Sequence, residues 1–266
     1  MAKQVGLTRY QGTMGGVRHF KIKGLEGDYA GLNGGPTKEQ ILNDPEFKRT
    51  RENMTEFGGS ATVGKTVRVG LASLIKTMGD PRVTSRLTRV FKRINLEANG
   101  KRGQRPIELS KNQSLIKGFE FDKNLAFASV FTAPHTLSSI ADRNESTLDV
   151  ASFLPLDYIN APSGATHFRL INAVVSVSDY VLNVDTKKYV PSNDNQNGLS
   201  TVETSGHLRL DEPVAQILLT AQLAGAPVLG VDVSLLNTIG VEFYQEVGGQ
   251  FYLFASGNAM NVAEVF

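Results

Sequence analysis

The chain has 266 residues, of which 41% are hydrophobic, and a formal net charge of +2. This length favours about two domains, and the apolar content is sufficient for a packed core. Cysteine is absent, which excludes structural disulfides and thiolate metal sites.

The near-neutral total combines two halves of opposite charge. Residues 1–106 carry 20 Lys and Arg against 9 Asp and Glu, and residues 107–266 carry 8 against 17, so a net charge of +11 adjoins one of −9. Such a division is typical of a half that binds a polyanion, or of subunits that stack basic face on acidic face. It favours a protein that binds or assembles over an enzyme.

The first 35 residues predict a β-hairpin followed by a glycine-rich arm. Apolar and polar residues alternate between Leu7 and Lys23, and Gly15-Gly16 supplies a turn that tolerates positive φ. From Gly24 to Gly35 the chain is too rich in glycine to build a core, so we expect a flexible connector or an extended arm that docks on a neighbour. The glycines of this assembly arm are Gly12, Gly15, Gly16, Gly24, Gly27, Gly31, Gly34 and Gly35.

Residues 36–106 predict a basic domain of about three helices. The start signals are a capping-box pattern at Thr37 with Gln40 and an Asp-Pro pair at residues 44–45. Gly58-Gly59 predicts the end of the first helix. A second helix is predicted from Ser60 to Met78, and a third begins at Asp80-Pro81 and continues to about Leu96.

Residues 59–66 match the P-loop pattern GxxxxGK[ST]. In a nucleotide site the backbone N–H groups would cradle phosphates, Lys65 would reach the terminal phosphate and Thr66 would hold Mg²⁺. That chemistry needs a buried strand directly before the loop, and here the preceding residues are charged and suit a helix surface. We therefore predict a glycine-containing turn between helices and no cofactor.

The third helix carries a row of arginines beside its apolar face. A row of guanidinium groups can follow a phosphate backbone or bind a partner surface rich in carboxylates. A solvated helix face is the third interpretation. The residues of this predicted partner-binding surface are Arg82, Arg86, Arg89, Arg93, Lys101, Arg102 and Arg105.

After residue 106 the periodicity changes to that of strands. Runs rich in Val, Phe and Leu, with Gly248-Gly249 as a hairpin turn, indicate a β-sandwich of immunoglobulin-like or related type. The predicted strands are Leu115–Phe121, Leu125–Phe131, Thr147–Phe153, His167–Val177, Tyr180–Val184, Leu199–Leu210, Val214–Leu223, Val228–Leu236, Ile239–Val247 and Gln250–Ala255.

No residue pattern specifies a catalytic or metal site. The four histidines are scattered without ligand spacing, and no nucleophile stands beside a base. The apolar stretch Val214–Leu236 is long enough to cross a membrane, but its Asp232 favours two strands instead of a span. The N-terminus lacks the apolar stretch of a signal peptide, so we expect cytoplasmic synthesis, with any release as part of a particle or filament.

Three segments carry a resemblance to other proteins. Residues 12–24, GTMGGVRHFKIKG, residues 43–58, NDPEFKRTRENMTEFG, and residues 85–94, SRLTRVFKRI, resemble a family of uncharacterised bacterial proteins. That family has a glycine-rich N-terminal hairpin, a basic helical segment and a C-terminal β domain. The resemblance implies this order of domains and transfers no catalytic residue.

These patterns predict an α+β protein with a hairpin and arm (1–35), a basic helical domain (36–106) and an acidic β-sandwich (107–266). We expect a non-enzymatic structural subunit that self-assembles head to tail into a filament, a tube or a phage-like virion particle. Nucleic-acid binding through the arginine row is the alternative, and a glycan-binding sandwich exported to the cell surface is the third possibility. We expect neither a metal nor a membrane span.

Overall fold

The computed structural model describes all residues from Met1 to Phe266 and divides the chain into two compact units. Unit 1 comprises Met1–Arg51, and unit 2 comprises Glu52–Phe266. The fold is mixed α+β with a β-rich C-terminal part, which confirms the predicted class. The units differ from the predicted division at residues 35 and 106, because helical residues beyond Glu52 share one core with the strands.

Unit 1 contains a four-stranded antiparallel sheet. Its strands are β1 (Ala2–Lys3), β2 (Gly12–Met14), β3 (Val17–Lys21) and β4 (Asp28–Leu32), in the order β1-β4-β3-β2. Positive φ angles of 55° at Gly15 and 79° at Gly16 form the predicted hairpin turn. The predicted arm or connector over residues 24–35 is corrected at residues 28–32, because these form β4, which hydrogen-bonds to both β1 and β3 within the sheet.

The first helices begin where the sequence predicts but do not end there. The capping box that precedes α1 (Lys38–Asn43) is confirmed, since Gln40 N donates to Thr37 Oγ1 over 3.2 Å and Thr37 N donates to Gln40 Oε1 over 2.7 Å. After a short 3-10 turn, α2 (Lys48–Gly70) runs through Gly58 and Gly59 without a break, so the predicted stop is wrong. The helices α3 (Ala72–Met78) and α4 (Val83–Glu97) follow.

The P-loop-like residues 59–66 lie in the middle of α2. Their N–H groups belong to the helical hydrogen-bond ladder and cannot cradle a phosphate, and the predicted turn between helices is also wrong. Thr66 Oγ1 lies 2.8 Å from the Tyr180 hydroxyl. A Cβ on Gly64 would lie 3.6 Å from Leu87 of α4. These residues therefore serve the packing of α2.

Unit 2 holds eleven further strands and two short helices. The elements are α5 (Phe127–Val130), β5 (His135–Ser138), β6 (Glu145–Val150), α6 (Pro155–Tyr158), β7 (His167–Ser178), β8 (Tyr180–Asn183), β9 (Lys188–Pro191), β10 (Ser200–Thr204), β11 (Leu208–Arg209), β12 (Ile217–Gln222), β13 (Val233–Val247), β14 (Gln250–Leu253) and β15 (Ala259–Val265).

The strands form one six-stranded sheet, one three-stranded sheet and a small hairpin. In the six-stranded sheet β7 and β13 are the central pair; β10 and β11 pair with β7, while β14 and β15 pair with β13. The three-stranded sheet has the order β12-β6-β5, and β8 pairs with β9. All these pairings are antiparallel, as expected for strands joined by short turns.

The six-stranded sheet is buried on both faces. Alternate residues Phe168 and Leu170 of β7 share a core with Leu148 and Leu219 of the three-stranded sheet, which confirms a sandwich of two sheets. The intervening residues of β7, from Ile171 to Val177, share a second core with α2, α3 and α4. The helices, the six-stranded sheet and the three-stranded sheet therefore form three layers in unit 2. We call the six-stranded sheet the large sheet and the three-stranded sheet the small sheet.

Most predicted strands are confirmed, and the exceptions are segments in which the structure has a different element. The strand predicted at Leu125–Phe131 is wrong, because Phe127–Val130 forms α5. The strand predicted at Leu115–Phe121 is wrong, because Gln113–Leu115 forms a 3-10 turn and only Glu120 forms an isolated β-bridge, with Asn261 of β15. The two strands predicted between Val228 and Val247 form the single strand β13. Strands β5, β9 and β15 have no counterpart among the predicted ones.

The adjacent glycines of α2 provide a test of the fold. A Cβ on Gly59 would lie 2.4 Å from the Tyr189 ring, whereas a Cβ on Gly58 would meet nothing within 4 Å. We expect Gly58→Ala to stabilise unit 2 by about 0.5–1 kcal/mol, because alanine favours a helix. We expect Gly59→Ala to destabilise it by about 1–3 kcal/mol through overpacking. Urea unfolding of both variants measures this, and equal destabilisation by both would contradict a continuous α2.

Candidate assembly surface

One face of the unit 1 sheet carries a largely exposed apolar row. Met14 of β2 lies opposite Val17 of β3, and Val17 lies opposite Leu32 of β4, so three strands place these side chains next to one another. Met14 is 57% exposed and Leu32 is 79% exposed. We name Met14, Val17 and Leu32 the N-terminal apolar row.

Unit 1 has no apolar core. Its only buried residue is Asp28. Other large apolar side chains are more than half exposed, namely those of Met1, Val5, Leu7 and Leu25. A small sheet is independently stable only when an apolar face packs against something. The bare row is therefore a surface suited to being covered by another molecule.

The glycines assigned to the assembly arm shape the backbone of unit 1. Six of them have positive φ, which glycine adopts without the steric cost of a Cβ: Gly12, Gly15, Gly16, Gly24, Gly27 and Gly35. Gly31 lies within β4, and Gly34 follows that strand. These glycines set the course of the backbone in unit 1, and its exposed side chains include those of Met14 and Leu32 in the N-terminal apolar row.

The predicted arginine row divides into two sets. Arg82, Arg89 and Arg93 are exposed around α4 and form no ion pair within the chain. Arg86 instead turns inward, where it pairs with Asp80 at 2.9 Å, donates to the backbone oxygens of Glu120 and Phe121, and lies over an aromatic ring. The solvent-facing row is therefore Arg82, Arg89 and Arg93.

The extension of the patch divides in the same way. Lys101 and Arg102 are exposed, and Arg102 lies 3.9 Å from Glu52. Arg105 instead donates twice to the buried carboxylate of Glu56, at 2.9 Å and 2.8 Å. Lys92 also donates to this carboxylate. Arg105 therefore holds the segment after α4 against α2 and is not available to a partner.

Glu56 is the electrostatic centre of this contact. Burial alone would raise its pKa, but hydrogen bonds from Arg105, Lys92 and the N–H of Gly103 outweigh that effect and lower the pKa to about 2. The side chain of Glu56 is 1% exposed, so solvent does not screen these interactions. The ionised carboxylate thus joins α2, α4 and the segment around residue 103.

A second buried carboxylate lies at the far end of the large sheet. Glu242 on β13 accepts from Arg169 on β7, from the Tyr244 hydroxyl and from Thr77 of α3. Burial, with the hydrogen bond to Glu242, raises the pKa of Tyr244. Each oxygen of Glu242 has a donor, so this group fastens α3 to the sheet.

Two histidines that are distant in sequence meet beside that carboxylate. The His207 ring stacks on Phe251 with centroids 4.0 Å apart and an angle of 2° between planes. His167 meets the same Phe251 ring edge-on at 4.9 Å. Burial and the nearby Arg169 lower the pKa of His207. The sequence gives no signal for this cluster, because the pairing of β7 with β11 and β13 creates it.

The cavities do not contain an assembled catalytic group. An open cavity of about 450 Å³ at the edge of the small sheet is lined by His135, Asp149 and Ser152 among others. His135 Nδ1 is hydrogen-bonded to the Ala133 oxygen at 2.8 Å, and Asp149 accepts from Gln216 at 2.8 Å, so neither orients the other or the serine. No group of three or more His, Cys, Asp or Glu side chains could hold a metal ion.

No protein-family model, curated protein or solved structure matches this chain. The resemblance of residues 12–24, 43–58 and 85–94 to a bacterial family therefore remains an expectation from the sequence. None of the helices combines the length and the apolar character needed to cross a bilayer.

The lowered pKa of Glu56 predicts a pH dependence of stability. Its ionised form stabilises unit 2 fully above its ordinary pKa of 4.5, and this contribution is lost as the pH falls toward the folded value of about 2. We expect Glu56→Gln to lower the free energy of unfolding at pH 7 by about 3–5 kcal/mol, because Lys92 and Arg105 lose their partner. Between pH 4.5 and 2, we also expect the stability of the Glu56→Gln variant to decline less than that of the parent chain.

Urea unfolding at several pH values measures both effects. Glu97→Gln is the matched control, since Glu97 is exposed at the end of α4 and forms no ion pair. A Glu56→Gln variant as stable as the Glu97→Gln variant would show that the Glu56 contact does not hold α2 to α4.

Proposed function

We propose that the protein is a non-enzymatic structural subunit that assembles head to tail with copies of itself through unit 1. The observation that carries this proposal is the N-terminal apolar row, which is exposed on a sheet without a core. Burying a Met or Leu side chain contributes about 1.5–3 kcal/mol, so a molecule that covers the row gains free energy. A head-to-tail contact that does not close into a ring generates a filament or tube.

Charge supports a second copy as the molecule that covers the row. Unit 1 carries 9 Lys and Arg against 5 Asp and Glu, whereas residues 107–266 carry 8 against 17. Opposite charges draw the basic unit of one copy toward the acidic surface of the next. The exposed carboxylates of that surface that form no ion pair within their own chain are Asp142, Asp157, Asp185, Asp194 and Glu203.

Charged substitutions in the N-terminal apolar row test this proposal. We expect Met14→Glu with Leu32→Glu to weaken self-association about 100-fold, because two apolar contacts are lost and acidic groups face an acidic neighbour. The circular dichroism of the variant should be unchanged, since both side chains are exposed. Sedimentation velocity and light scattering at low salt, over a range of protein concentration, give the association.

The matched control is Val184→Glu, at a side chain 70% exposed in the turn between β8 and β9. This control should assemble like the parent chain, and raised salt should shift the parent chain toward smaller species. A parent chain that stays monomeric at low salt and high concentration would refute the proposal. So would a double variant that assembles as the control does.

Nucleic-acid binding is the second candidate, and one observation favours it. Arg82, Arg89 and Arg93 are exposed along one side of α4, and none of their guanidinium groups forms an ion pair in the chain, while Asp80 accepts from the backbone N–H of Arg82. Exposed guanidinium groups of this kind can neutralise phosphates of either strand, without reading sequence.

Removal of two of these charges distinguishes this candidate from assembly. If the row contacts phosphates, Arg89→Gln with Arg93→Gln should weaken binding to random-sequence DNA and reduce the salt dependence by about one unit per lost contact. The control Lys187→Gln with Lys188→Gln removes two exposed charges at another position. Fluorescence anisotropy at several salt concentrations measures the binding. Equal binding by the two double variants would exclude the row as a nucleic-acid site.

A further inference from the structure

Strand β14 leaves one edge of the large sheet open. It is the last strand beside β13, and no other segment of the chain pairs with its outer edge. Phe254 donates its N–H to the Phe243 oxygen over 2.9 Å, so Phe254, Tyr252 and Gln250 direct their backbone groups toward β13. The alternate residues Phe251 and Leu253 therefore direct their N–H and C=O groups outward.

This edge lacks the features that normally prevent strands from pairing between molecules. Residues 250–253, Gln-Phe-Tyr-Leu, include neither a charged residue nor a proline. Phe251, Tyr252 and Leu253 are 40%, 58% and 40% exposed. By contrast, residues 118–121 cover the outer edge of β15, the next strand along the same side of β13, with backbone hydrogen bonds. The chain thus protects β15 and leaves β14 open.

We propose that β14 pairs antiparallel with β14 of a second copy, around a two-fold axis at Tyr252, and so joins two large sheets into one. In this register Phe251 pairs with Leu253 of the second copy, and the two Tyr252 residues lie opposite each other. The contact forms about four backbone hydrogen bonds. It does not depend on unit 1, and it is isologous, unlike the head-to-tail contact proposed above.

The strand itself favours a second copy in this register. A two-fold axis perpendicular to the sheet keeps each face continuous, so residues of the same face pair, as Phe251 and Leu253 do. Shifting the register toward the turn would require extended backbone at Gly249, whose φ is +80°. Shifting it the other way requires pairing beyond Leu253, where β14 ends. Because the strand is uncharged, no like charges meet.

Neighbouring side chains hold the pairing edge in place. The His207 ring stacks on Phe251 and also meets the Tyr244 ring edge-on at 4.4 Å. His167 supports Phe251 from a further side. Fixing the Phe251 ring before association reduces the entropy that pairing would otherwise cost. The histidine cluster therefore acts as a support for the open edge.

A cysteine at position 252 tests the register directly, because the chain has no native cysteine. Opposed residues of a non-hydrogen-bonded antiparallel pair have Cα atoms about 4.5 Å apart, within the disulfide range of about 4.4–6.8 Å. We expect Tyr252→Cys to form an intermolecular disulfide at least about 10-fold faster than the controls under mild oxidation. Non-reducing electrophoresis over time measures the rate.

Two controls make this result specific. Leu218→Cys places a thiol at a site 62% exposed on β12, and Gln250→Cys places one on β14 but away from the axis. Disulfide formation by Tyr252→Cys at the rate of either control would overturn the proposal. The same comparison in the Met14→Glu, Leu32→Glu background separates the two contacts, since the β14 pairing should persist when unit 1 docking is lost.

A second variant tests the contact without a covalent bond. Tyr252→Lys would place two like charges opposite each other across the axis, so we expect the two-fold dimer to dissociate in sedimentation experiments at low salt. Val184→Lys, at a side chain 70% exposed in another part of the chain, should leave the dimer intact. Retention of the dimer by Tyr252→Lys would overturn the proposal, because it would show that a surface other than the β14 edge joins the two copies.

Discussion

Burial of the β7 and β13 pair on both faces is the constraint on which the rest of unit 2 depends. Neither strand can turn a polar side chain to water along most of its length, so polar groups there need internal partners. Asn172 of β7 donates to the backbone oxygens of Ser146 and Leu219, at 2.7 Å and 2.8 Å. Asn237 of β13 donates to Asn172 at 2.6 Å. These amides tie the small sheet to the large one and fix its position.

The helical layer on the other face explains where the basic charge of residues 1–106 goes. Glu56 and Asp80 are among the few carboxylates in that half, and each takes up basic side chains inside unit 2. Arg86 and Arg105 thereby hold the helices to their surroundings, while Arg89 and Arg93 face solvent. A count of charges cannot separate these roles, because it contains no information about the direction of a side chain.

The sequence was sufficient wherever the signal was local. The capping box at Thr37, the turn at Gly15-Gly16 and the alternation of β12 follow from neighbouring residues. The pair Gly58-Gly59 predicts a helix stop, and the structure differs because the packing of Gly59 against Tyr189 depends on a distant part of the chain. The open edge of β14 and the histidine cluster were equally out of reach, since they depend on which strand ends at the border of the sheet.

Because unit 1 has no apolar core, its strands resist local unfolding much less than the strands of unit 2 do. The large sheet of unit 2 opens only when both of its buried faces are exposed, whereas strands β1 to β4 separate without uncovering any buried apolar side chain. We therefore expect amide protons of those four strands to exchange readily with solvent while unit 2 remains protected. A neighbour that covers Met14 and Leu32 would slow that exchange. Under the proposed assembly, the exchange rate of these four strands would therefore distinguish a free chain from an associated one.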